Sequence, residues 1–210
     1  MMNLPYDMII KVFEYFSYEQ ILIMSLNKII YEKIKNNNNI KIYKKYDYNN
    51  YKKLPNFLQN KLYSIYNYIP NTEPLKYLIE LKLENNYNLP LINNFNELFQ
   101  NLQKLEFGFN FNQLIPNNLP NSLQEIIFGH DFNQILPDNL PDTITCLWFN
   151  GLYNQPLPKK LPNSLKVIKF GKKFDQLLDN LLMSKNLKEI KLSKNYQQII
   201  PVNLQHLIKY

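Results

Sequence analysis

The feature that most limits how this chain can fold is a repeat. Aligned on a leading Leu or Ile, five units begin at Leu102, Leu123, Ile144, Leu165 and Leu187, in steps of 21, 21, 21 and 22 residues. Each opens L-x-x-L-x-F or a close variant: LQKLEF, LQEIIF, ITCLWF, LKVIKF and LKEIKL. A looser unit, LIELKL, starts at Leu78, 24 residues before Leu102. A fixed period of this length marks a solenoid, in which each unit buries its apolar face only against its neighbours. The last two apolar positions of each opening are separated by one residue, the period of a strand with one buried face. One short strand per unit, stacked about 4.8 Å apart, predicts a parallel sheet.

The rest of each unit is a return leg carrying Pro116, Pro120, Pro137, Pro141, Pro158, Pro162 and Pro201. Proline removes a donor and breaks helix interiors, so this leg is expected to be extended or turn-like. An aromatic column (Phe111, Phe132, Tyr153, Phe174, Tyr196) is expected to fill the coil interior. Two places on stands a column of identical residues: Gln113, Gln134, Gln155, Gln176 and Gln198. A glutamine offers two donors and an acceptor, so in register it can bond the backbone of its own loop and of the next coil. A polar ligand site is the alternative, but a ligand site has little reason to recur in every coil. The column between them (Asn112, Asn133, Asn154, Asp175, Gln197) suits a turn. Gly108, Gly129 and Gly171, with Asn150 in the equivalent place, are expected to permit a bend or positive φ at the strand end.

Composition narrows the function classes. The 210 residues include no Arg and no Ala, and Asn, Lys, Ile, Tyr, Phe and Leu dominate, a bias of coding origin rather than mechanism. One cysteine, Cys146, excludes an internal disulfide framework and fits a reducing compartment. The start MMNLPYD lacks a basic signal-peptide region, and no apolar run approaches the roughly 20 residues needed to cross a bilayer. An intracellular protein, cytoplasmic or nuclear and without a membrane partner, is expected. The formal charge of +7 is segmental: residues 28–61 carry +7, residues 62–158 carry −6 and residues 159–194 carry +7. His130 and His206 lie far apart in the array, with no metal spacing, phosphate loop or G-x-S-x-G. No catalytic residue, metal site or cofactor is expected, and the chain is read as a non-enzyme.

The wording FNQ-x-I/L-P-x-N-L-P-x-S-L in Phe111–Leu123 and Phe132–Ile144 resembles FNIP repeats, leucine-rich-like repeats abundant in social amoebae and giant viruses of amoebae. The resemblance covers residues 78–207 and implies a repeat solenoid over 78–210. The fifth unit departs from it: FDQLLDNLLMSKNL loses both prolines and gains a residue.

Residues 1–40 differ in kind. Met8, Ile9, Val12, Phe13 and Phe16 lie on one helical face, and Ile21, Leu22, Leu26, Ile29 and Ile30 on another. These short helices either cap the solenoid or offer surplus apolar surface to a partner. LP-x-D-x-I-x-x-V-F-x-Y-F followed by I-L-x-M-S-L-N-K resembles an F-box. That resemblance implies docking of a Skp-type adaptor, linked to a cullin ligase, through Leu4, Pro5, Ile9, Val12, Phe13, Ile21, Leu22 and Leu26. Tyr31 stands where the family often has Trp. The fold class expected is therefore α+β, a helical head joined to a parallel β solenoid.

Residues 41–77, basic and Tyr-rich, read as a linker or a degenerate first coil rather than a nucleic-acid site, since without Arg there is no bidentate fork. Residues between the buried strand positions form two outward rows: Lys104, Glu125, Cys146, Val167, Glu189, and Glu106, Ile127, Trp148, Lys169, Lys191. An apolar centre (Ile127, Cys146, Trp148, Val167) with charged flanks including Lys169 and Lys191 is how a protein-binding hot spot is built. The expected function is target recognition for a ubiquitin ligase; a scaffold whose head is only a cap is the alternative.

Overall fold

In a computed structural model, residues 78–210 are described in full, together with the backbone of two strands at Ile42–Asp47 and Leu62–Tyr68. The helical head expected at 1–40, with Leu4, Pro5, Ile9, Val12, Phe13, Ile21, Leu22 and Leu26, lies outside the described residues.

Short strands cannot hold themselves, and here each is held by the next. The strands are β1 (Ile42–Asp47), β2 (Leu62–Tyr68), β3 (Glu80–Leu83), β4 (Lys104–Glu106), β5 (Glu125–Phe128), β6 (Cys146–Phe149), β7 (Val167–Lys169), β8 (Glu189–Lys191) and β9 (Ile208–Lys209). They form one sheet in sequence order, every neighbouring pair parallel. Two strands of this sheet fall within residues 41–77. A junction repeats between the later coils: Gln124 N–H donates to Gln103 O (2.8 Å), Thr145 to Gln124 (2.8 Å) and Lys166 to Thr145 (2.9 Å).

Behind the sheet two aromatic columns fill the coil. Phe107, Phe128, Phe149 and Phe170 stack with centroids 4.8–5.6 Å apart. Tyr87, Phe111, Phe132, Tyr153, Phe174 and Tyr196 stack at 5.9–6.2 Å. Within a coil the two columns touch, as Phe149 does Tyr153 at 4.0 Å. Offset stacking of this kind is worth about 0.5–1.5 kcal/mol per pair beyond the area buried. The leading Leu102, Leu123, Ile144 and Leu165 are fully buried behind the same sheet.

The prolines divide the return legs. Units with Pro116/Pro120, Pro137/Pro141 and Pro158/Pro162 have no helix in that leg. The unit before Leu102, which lacks the pair, forms the short helix α1 (Phe95–Leu98), and the fifth unit forms a 3-10 helix at Asp179–Met183. A further 3-10 helix, Val202–Leu207, follows Pro201. In these two legs residues with a free N–H donate into the helical turns, Phe99 N–H to Phe95 O and Ser184 N–H to Leu181 O.

The glycine column needs correction. Of the four glycines only Gly151, outside that column, has positive φ (52°). Gly129 is glycine because a Cβ there would lie 1.8 Å from the Gly108 carbonyl oxygen of the preceding coil. The strand ends are thus drawn together too closely for any side chain. Asn150 interrupts the column: its Nδ2 donates to Phe128 O (2.9 Å), and Gly151 after it takes a left-handed φ.

Candidate functional site

The sheet's outward face is built by strand alternation. With Leu105, Ile126, Leu147, Ile168 and Ile190 turned in, Lys104, Glu125, Cys146, Val167 and Glu189 face out as one row. Glu106, Ile127, Trp148, Lys169 and Lys191 form the second, which β9 extends with Lys209. Both rows therefore stand in the register that the spacing predicts.

The face is not uniform along the axis. On the early strands charges cancel across neighbours: Lys82 pairs with Glu106 at 2.5 Å and Lys104 with Glu125 at 3.3 Å. In the middle lies the apolar stretch, with Trp148 39% exposed and Cys146 and Val167 half-buried. Ile127 stands in the same outward row but is only 9% exposed, so it offers little contact area. Lys169 places its Nζ 5.0 Å from the Trp148 ring centroid, a cation–π contact that holds the indole in place. Burial, and after it the Glu125 carboxylate, pushes the Cys146 thiol up, making it a packing residue with little thiolate character at neutral pH.

The glutamine column sits at the other side of the coil; Gln113 Nε2 donates to the backbone carbonyl of Asn88 in the preceding coil (3.1 Å), while the other glutamines reach side chains. Asparagine is the centre of each junction. Asn112 Oδ1 accepts the Asn133 backbone N–H (2.9 Å) and Gln134 Nε2 (3.0 Å). Asn133 does the same for Asn154 and Gln155, and Asn154 for Asp175 and Gln176. Asn88 begins the series, receiving Asn112 N–H and Gln113. Asp175 ends it, receiving Gln197 N–H on one oxygen and Gln198 Nε2 on the other. The backbone donor is thus satisfied by the asparagine, and the glutamine braces that asparagine. These bonds run between coils.

Two surface features escaped the sequence reading. Phe109 lies flat on His130 (centroids 4.6 Å, 3° between planes), and His130 Nδ1 is 2.7 Å from Asp131 Oδ1. An exposed apolar column, Leu114, Ile135, Pro156, Leu177 and Ile199, follows the glutamines. The signal for the second was present, since the residue after each Gln is apolar in every one of these units. Among the described residues no helix is long and apolar enough to cross a membrane.

A model of the FNIP repeat matches residues 95–131, 109–152 and 153–183. No curated protein matches the chain. Among solved structures the chain is similar to CroV588, described as a novel circular LRR protein structure, with 29% identity and a TM-score of 0.55. The match covers 71% of this chain and 23% of the other, so this chain spans less than a quarter of that length. Residues 95–183 are therefore FNIP repeats, wound as a leucine-rich-like parallel solenoid.

Proposed function

We propose that this chain is a protein-recognition module serving a ubiquitin ligase, its sheet face holding a target and its first forty residues docking a Skp-type adaptor. One observation carries the recognition half. The coil interior is repetitive and closed, whereas the outward rows differ from strand to strand and place an exposed Trp148 in an apolar centre between charged flanks. Such a face supplies affinity through a few anchors, with the rim excluding water. The adaptor half rests on the F-box-like wording from Leu4 to Leu26. The module supplies proximity and no chemistry of its own.

The decisive experiment is co-purification of the full chain with a Skp-type adaptor. A Leu4→Asp, Phe13→Asp double variant should lose it. If wild type fails to bind, or the double variant binds equally well, the chain is a scaffold whose head only caps the solenoid. Independently, Trp148→Ala should abolish target capture with the circular dichroism spectrum unchanged; retained capture would move the site off this face.

A further inference from the structure

The second outward row reads Ile127, Trp148, Lys169, Lys191, Lys209 across β5 to β9, each residue directly opposite the next. Three ammonium groups therefore follow one another on adjacent strands about 4.8 Å apart. Like charges directly opposite one another in a sheet repel. Elsewhere on this face the chain avoids that cost, matching Lys82 to Glu106 and Lys104 to Glu125. On β7–β9 it does not: among the described residues none of the three has a carboxylate within salt-bridge distance. Exposed Lys172, Lys173 and Lys194, just beyond the strand ends, add to the same sign.

We infer that this row receives an acidic segment of a partner protein, with one apolar residue seated on Trp148 and Val167 and the following carboxylates on Lys169, Lys191 and Lys209. This rests on the reading of the sheet face as a protein-recognition surface and specifies the partner's chemistry. An extended segment lying along the solenoid axis meets the apolar patch first and the ammonium groups next, in one line. Carboxylates there remove the repulsion that the free face carries. Single-stranded nucleic acid fits the row less well. It needs a series of exposed aromatic platforms, and here the row offers Trp148 alone. The chain also has no arginine for forked phosphate contacts.

Trp148 is the chain's one tryptophan and so reports on its own site. The full chain is titrated with a synthetic peptide of one leucine followed by alternating Asp and Glu, and Trp148 fluorescence is followed, with calorimetry as a second readout. The expectation is saturable binding that weakens at least tenfold between 50 mM and 500 mM salt. A Lys191→Gln, Lys209→Gln variant of unchanged circular dichroism should bind at least fivefold more weakly. The inference is overturned if the peptide does not bind, if its Asn/Gln counterpart binds equally well, or if oligothymidylate of equal length binds more tightly. Should the double glutamine variant keep target capture while Trp148→Ala loses it, the acidic partner falls and the recognition role of the face stands.

Discussion

Replacing Asn133 by Ala tests how the coils are joined. The Asn133 Oδ1 accepts the Asn154 backbone N–H at 2.9 Å and Gln155 Nε2 at 3.3 Å, both partly buried. With the amide gone, the Asn154 N–H has no acceptor, and leaving a buried donor unpaired costs about 1–3 kcal/mol. The junction above survives, because the Asn133 N–H still donates to Asn112 Oδ1. Gln155 is half-exposed and can turn to water, so its loss adds little. The net cost expected is about 2 kcal/mol, or roughly 4–8 °C in Tm for a chain of this size. Gln134→Ala is the comparison. It removes one side-chain donor, while Asn112 Oδ1 keeps the Asn133 N–H, so about 0.5–1 kcal/mol is expected. Asn133→Asp keeps the acceptor, as Asp175 does naturally, and should cost less than the alanine variant. Urea denaturation followed by far-UV circular dichroism and Trp148 fluorescence, with a shared m value, orders the three. A Gln134→Ala loss as large as that of Asn133→Ala would refute the asparagine-centred junction, as would an Asn133→Asp loss equal to the alanine one.

The Tyr153 hydroxyl is fully buried without a hydrogen-bond partner, and burial pushes its pKa up, so Tyr153→Phe should raise stability by about 1 kcal/mol; a lower Tm would show that the hydroxyl is bonded. Gly129→Ala forces a methyl group against the Gly108 carbonyl and should cost more than about 3 kcal/mol, whereas a neutral denaturation result would mean the coils can part. Backbone and side-chain donors from Gln197 and Gln198 hold the Asp175 carboxyl below its ordinary value. A depressed carboxylate contributes stability above its unfolded pKa and loses it as pH falls through the folded one. Asp175→Asn, which copies the other junctions, should therefore lose less stability than wild type on acidification below about pH 4; parallel pH curves would contradict this.

Much of this architecture is legible in single residues. Leu105 and Phe107 are separated by one residue and stand 21 before Ile126 and Phe128, which sets strand, spacing and register together. Pro116 and Pro120 predict a leg without helix, and helix occurs where such a pair is missing, at Phe95–Leu98 and Asp179–Met183. The outward rows through Trp148 follow from alternation alone. Other features depend on which atoms of one coil approach the next, and a one-dimensional period does not contain that distance. The glutamine column through Gln134 recurs more strictly in the sequence than the column through Asn133, yet the asparagine is the one within reach of the next backbone N–H.

The sequence by itself determined the period, the parallel sheet, the aromatic interior and the residues that face outward, because a repeat and an alternating strand dictate them whatever the details of contact. Only the tertiary structure decided that Gly129 is glycine for want of space rather than for its φ, and that Ile127 is only 9% exposed on the face it was expected to form. It alone placed Lys209 in line with Lys169 and Lys191. Each of these is set by how closely one coil settles on the next, a distance that packing chooses and a list of residues does not state.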